Sequence, residues 1–186
     1  MTAPILILLA ASAALSCALT FLARAVGRKR LLHDSPGSAG HHKSDIRRGP
    51  NIGGVAVFLT VALLMLAGLG VAARNADPDA PCLVRENAPQ IAVHMPGMRE
   101  QTPMALTLLA CLAILHITGF IDDRRALPAI PKLLIIAGAS AILVIGFDCR
   151  LLTMLDAHAG GPWLSWTVSI LWFIAVTNAM NFMDNM

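Results

Sequence analysis

The sequence predicts an all-α fold, a polytopic membrane helix bundle with five transmembrane helices. Three observations carry that reading. Hydrophobic residues make up 56% of the 186-residue chain and charged residues 13%, with a mean hydropathy of +0.69. A soluble domain carries about 25% charged residues. Second, charge-free runs long enough for a bilayer core, which needs about 20 mainly apolar residues, recur along the chain. Third, Lys and Arg crowd alternate connections and thin out in the others, the pattern that sets membrane orientation.

The runs span residues 1–23, 49–73, 101–121, 133–147 and 157–183. The first resembles a signal peptide only in hydropathy. It lacks a basic leader, and the positive cluster follows it, which favours a retained helix with its N-terminus outside. The fourth run is short, so its helix is expected to borrow residues 127–131, with Lys132 snorkelling to the interface. Pro128 and Pro131 suit a helix entrance better than a helix interior.

The first connection holds seven cations: Arg24, Arg28, Lys29, Arg30, Lys43, Arg47 and Arg48. In the second, Arg74, Arg85 and Arg99 are offset by Asp77, Asp79, Glu86 and Glu100. The third packs Arg124, Arg125 and Lys132 together, and the fourth has only Arg150. The first and third connections are therefore expected in the cytoplasm, as is the C-terminal end. A net charge of +3 is too small to argue for nucleic acid. None of Cys17, Cys82, Cys111 and Cys149 forms a C-x-x-C pair, which removes the usual zinc and redox motifs. Cys82 and Cys149 fall in connections on the same side, where a disulfide between them is compatible with the topology.

This topology gathers three polar clusters on one face: "HHKSDIRRGPNIGG" (41–54), "GFIDDRRALPAIPK" (119–132) and "TNAMNFMDNM" (177–186). Asp122 and Asp123 stand where the third helix leaves the membrane, and adjacent carboxylates there repel and are costly to desolvate. They read either as a solvated helix end eased by Arg124 and Arg125, or as a metal or phosphate site with a general base. Asn178, Asn181 and Asp184 follow at intervals of three, one stripe on a helix. Interhelical hydrogen bonding explains one asparagine. A stripe ending in a carboxylate also suits Mg²⁺, which takes hard oxygen ligands and keeps waters and phosphates. Lys43, Arg47 and Arg48 could hold phosphates, or simply obey the positive-inside rule. A transporter or channel fragment would place carboxylates at mid-membrane depth, whereas here they fall at helix ends. An inert helical remnant is not separated from an enzyme by these residues.

At the three clusters the sequence resembles the polyprenyl-phosphate N-acetylhexosamine-1-phosphate transferases. "DSPGSAGHHKSDIRRGPNIGG" is similar to the family's first cytoplasmic loop, "GFIDDRRALPAIPKLL" to its Gly-x-x-Asp-Asp loop, and "TNAMNFMD" to its Asn-Ala-x-Asn-x-x-Asp motif. The resemblance runs in order over residues 34–186. It implies transfer of a sugar-1-phosphate from a UDP-N-acetylhexosamine to a polyprenyl phosphate, with release of UMP. Asp122 or Asp123 would be the catalytic base; Lys43, Lys132 and Asn178 would bind substrate; Asn181 and Asp184 would hold Mg²⁺, with Mn²⁺ as the alternative. The implied setting is the bacterial inner membrane with the site on the cytoplasmic face, and a homodimer is admissible. Muramoyl-pentapeptide enzymes carry Asp-Asp-x-x-Lys, whereas Ala126 occupies that fourth position, so the sequence leans to the N-acetylglucosamine branch and surface polysaccharide synthesis. Family members have about ten helices, and Asn185 stands where Gly is usual, before a second Asp. The chain is accordingly expected to be one integral membrane domain over 1–186, the N-terminal half of a larger transferase, with little activity alone.

Overall fold

A computed structural model describes residues 2–29, 53–75, 89–123, 125 and 127–184, without the side chains of 2–4, 28–29 and 181–184. The described elements are α1 (Thr2–Lys29), α2 (Gly53–Arg74), α3 (Pro89–Ala92), α4 (Met95–Glu100), α5 (Thr102–Asp122), α6 (Ala129–Gly146), a 3₁₀ turn (Thr153–Leu155), α7 (Asp156–Ala159) and α8 (Trp163–Asp184). Among the described residues, five segments are long and apolar enough to cross a membrane: Ile5–Gly27, Gly53–Arg74, Thr102–Asp122, Ala129–Gly146 and Trp163–Met180. They coincide with the five charge-free runs. The bundle is all-α and polytopic, as composition and spacing predicted.

Two boundaries moved. The fourth helix begins at Ala129, with Pro128 as its N-cap at φ −56° and ψ 148°. A proline there has no N–H to leave unsatisfied and its ring presets φ. The fifth begins at Trp163 rather than near Ala157. Gly160 and Gly161 take positive φ, 71° and 155°, so the chain breaks there and residues 156–159 form a separate single turn. Glycine adopts those angles without a Cβ penalty.

The chain forms two compact units, Met1–Leu109 and Ala110–Met186, with α5 running through the division. In the first, α1 and α2 pack together and α4 folds back onto α2. The buried positions of α2 are Ala56, Thr60, Ala62 and Ala72, small side chains that let backbones approach. Met95 is buried, and the Met98 methyl lies 3.8 Å from where a Cβ on Gly68 would stand. The side chains of Ile5 to Leu9 on α1 are exposed, as suits a helix that faces lipid.

In the second unit α6 and α8 pack against each other. Their buried faces are again small: Ala139 and Ser140 beside Ile136 and Val144 on α6, Ser165 and Ser169 on α8. The hydroxyls are satisfied within the helices. Ser140 donates to the Ile136 carbonyl at 2.8 Å, Thr118 to Ile114 at 2.8 Å and Ser169 to Ser165 at 2.6 Å. Hydrocarbon offers no water, so a hydroxyl there must find a partner inside the protein. The Cys111 thiol points at the Ala139 carbonyl from 3.9 Å, a weak tie from α5 to α6.

The connection from α6 to α8 is held by polar contacts. The backbone N–H groups of Phe147 and Cys149 both turn back to the Leu143 carbonyl, so the chain stays at the end of α6. Leu151 N–H then donates to Ser169 Oγ at 2.7 Å. Arg150, 13% exposed at its side chain, donates from Nη1 to Asp156 Oδ2 at 2.5 Å and to Ser165 Oγ at 2.9 Å. Its Nη2 donates to Asp148 Oδ2 at 3.0 Å, while Nε lies 2.5 Å from Asp148 Oδ1, off the hydrogen-bond direction. The hydrogen bond that the guanidinium donates to Asp148, with Asp156 adding to it, raises the Arg150 pKa. Since the end of α6 meets the first turns of α8 and the two helices are in contact, they run antiparallel.

Candidate active site

The site is built from the ends of α5, α6 and α8. At the end of α5 the helix loosens: Asp123 N–H still reaches the Gly119 carbonyl at 2.9 Å, and Arg125 N–H reaches Ile121 at 2.7 Å. Pro128 then starts α6, which brings Lys132 on its first turns back beside Asp122. Asp122 Oδ2 accepts from Lys132 Nζ at 2.5 Å, and Oδ1 accepts from the Leu127 backbone N–H at 2.9 Å. Both side chains are about a quarter exposed, at 24% and 25%. One carboxylate thus holds a lysine in place, closes the connection between α5 and α6, and satisfies a backbone donor. Charge-assisted hydrogen bonds of this kind are shorter and stronger than neutral ones. Asp123, the next residue, is partly buried at the edge of the helix.

Helix α8 supplies the remaining groups. The antiparallel pairing puts its C-terminal end at the α5–α6 connection. From Gly146 back to Lys132 is 14 residues, and from Ser169 on to Asp184 is 15. At 1.5 Å per residue these are about 21 Å and 22 Å. Counted from the Leu151–Ser169 hydrogen bond, this spacing runs the last turn of α8, where Asn181 and Asp184 lie on helical backbone, toward the first turns of α6. Asn178 is partly buried one turn below and donates its amide N–H to the Ile174 carbonyl at 2.8 Å.

The sequence-predicted residues therefore divide into three groups. Asp122 and Lys132 are in direct contact, with Asp123 adjoining. Asn178, Asn181 and Asp184 occupy the facing end of α8, the last two by backbone placement alone. Lys43 and the first basic cluster up to Ile52 lie outside the described residues, as does Cys82. Cys149 is not in a disulfide among the described residues. Two features went unforeseen. The Leu127 N–H cap on Asp122 has no signature in residue type, because every residue but proline carries that donor. Arg150 appeared only as a topology charge, although two carboxylates within six residues of it were the available signal.

The donor chemistry fits the ion expected there. Asn181 and Asp184 offer a neutral and an anionic oxygen at helical spacing, suited to an ion that takes few protein ligands and keeps water and phosphate.

Residues 105–186 match the model of glycosyl transferase family 4. The matched segment contains the Asp-Asp loop and the Asn-Asn-Asp stripe and begins after the first basic cluster. No curated protein and no solved structure matches the chain.

Proposed function

We propose that this chain, whose residues 105–186 match the model of glycosyl transferase family 4, takes part in a lipid-linked sugar-phosphate transfer. The family is that of the polyprenyl-phosphate sugar-phosphate transferases, which work in the membrane on a lipid-linked substrate. The observation that supports the finer reading is the Asp122–Lys132 pair, which joins the end of α5 to the first turns of α6.

The reaction is transfer of N-acetylglucosamine-1-phosphate from its UDP ester to undecaprenyl phosphate. A phosphate oxygen of the lipid forms a bond to the sugar-linked phosphorus. The bond from that phosphorus to the UMP oxygen breaks, and UMP leaves with the electron pair. Little covalent work falls to the protein; positioning and charge neutralisation dominate. Asp122 accepts from Lys132 and from the Leu127 N–H. Of the two aspartates that the resemblance offers as the base for the lipid phosphate, we assign the role to Asp123. Lys132, held at the interface, presents positive charge to the incoming phosphates, and Asn178 orients the donor. Asn181 and Asp184 hold Mg²⁺, which supplies charge neutralisation to the pyrophosphate. A lipid acceptor and a water-soluble donor both reach a site at a helix end on the cytoplasmic face. That setting suits a bacterial inner membrane and cell-envelope polysaccharide synthesis.

The test is UMP release by membranes carrying the protein, alone and in the extended form that the resemblance implies, with undecaprenyl phosphate, UDP-N-acetylglucosamine and Mg²⁺. Asp123→Asn should lower the rate by about 10²–10⁴-fold, the range of a lost general base. Asp77→Asn, in the connection after α2, should leave it unchanged. Equal rates for wild type and Asp123→Asn would overturn the assignment.

A further inference from the structure

We infer that Arg150 is a positioning residue for the site at the opposite end of the hairpin: with Ser165 and Ser169 it locks the register of α6 against α8. The inference rests on the reading of that site given above.

The need for such a lock is physical. In a membrane, apolar packing between helices gains little over packing against lipid, so small-residue faces permit several neighbouring registers. The α6–α8 interface is of that kind, with Ala139, Ser140, Ser165 and Ser169 among its buried positions. A slip of one residue moves a helix by about 1.5 Å and turns it by about 100°. Such a slip would carry Lys132 away from the level of Asn181 and Asp184.

Among the described residues, polar contacts that single out one register lie at the far end. The Arg150 guanidinium is 13% exposed and joins three elements: Asp148 on the connection, Asp156 at the start of α7, and Ser165 on the first turn of α8. The adjacent Leu151 N–H takes Ser169, one turn further on. Ser165 and Ser169 are both 0% exposed, so neither hydroxyl could turn to water if the register changed. The backbone at this point is committed as well. Asp148 and Leu152 both adopt positive φ, 58° and 56°, which non-glycine residues take only where the surroundings hold them. A slip would leave a guanidinium, a carboxylate and a backbone N–H without these partners at once. The distance from the lock to Lys132 is about 21 Å along α6, and the intervening helix transmits it as a rigid rod.

The experiment is electron–electron distance measurement on the full chain in liposomes. The four native cysteines are replaced by alanine, and spin labels are placed at Ile130 and Met180, both highly exposed. The unlocked variants are Arg150→Met and Ser169→Ala, with Arg150→Lys as the conservative control. The lock predicts one narrow distance in the parent, and a shifted or broadened distribution in Arg150→Met and Ser169→Ala. Arg150→Lys should return most of the parent distribution. If Arg150→Met fails to insert, Ser169→Ala, which deletes two neutral hydrogen bonds and no charge, reads the same quantity. In the transferase assay a displacement of an ångström or more should lower kcat by about 10²-fold, with a smaller change in KM. Unchanged distances in both variants would overturn the inference. Shifted distances with an unchanged kcat would also overturn it, since register would then not serve the site. If neither the parent nor its extended form released UMP, the proposed function would fail while the distances still decided the lock.

Discussion

The Asp122–Lys132 pair yields the most direct quantitative prediction. The perturbation is a double-mutant cycle: Asp122→Asn, Lys132→Met, and both together. The distances set the expectation. The ammonium is 2.5 Å from Oδ2, and each side chain is about a quarter exposed. Exposed pairs couple by about 0.2–1 kcal/mol. Breaking a fully buried pair costs about 3–5 kcal/mol. A quarter-exposed pair should lie between, with a coupling of about 1–2 kcal/mol. Asp122→Asn keeps an oxygen for the Leu127 N–H, so the backbone cap survives and only the ion pair is tested. Asp122→Ala removes both partners and should cost about 1 kcal/mol more, the worth of a typical hydrogen bond. The assay is reversible unfolding in mixed micelles, followed by tryptophan fluorescence from Trp163, Trp166 and Trp172 in the same unit. Additive single-variant effects, within about 0.5 kcal/mol, would refute the coupling. Equal stability of Asp122→Asn and Asp122→Ala would refute the cap.

Two further outcomes follow from the same reading. Single cysteines placed near Pro81 and near Arg47 should label from opposite sides of the membrane, because the seven-cation connection is held inside; labelling of both from one side would reverse the argument. UMP release should vanish with a chelator and return with added Mg²⁺, and Asp184→Asn should raise the Mg²⁺ concentration needed for half-maximal rate; an unchanged requirement would remove Asp184 from the ion's ligands.

Much of this protein is legible in its sequence, and the reason is locality. Whether a segment crosses a bilayer is nearly a sum over its own residues, so the charge-free runs located the spans within a few positions. Pro128 and Pro131 marked the entrance to α6 because a proline's constraints act on its own backbone. The same locality placed Asp122, Asp123 and the Asn178–Asn181–Asp184 stripe at helix ends. Where local signals compete, sequence reading ran past the boundary: the absence of charge after Ala157 suggested helix, and the positive φ of Gly160 and Gly161 stopped it.

Only the tertiary structure decided who pairs with whom. Asp122 stands next to Arg124 and Arg125 in sequence, and their charges looked like its natural relief. The carboxylate takes Lys132, ten residues on, because the turn at Pro128 returns α6 alongside the end of α5. Arg150 belongs to the same category: its partners Asp156, Ser165 and Asp148 are reached through the fold of the connection, and residue type alone could not assign them. Hydropathy is a property of a segment, while an ion pair or a hydrogen bond depends on distance and direction between segments. The first is written along the chain, and the second exists only once the chain has folded.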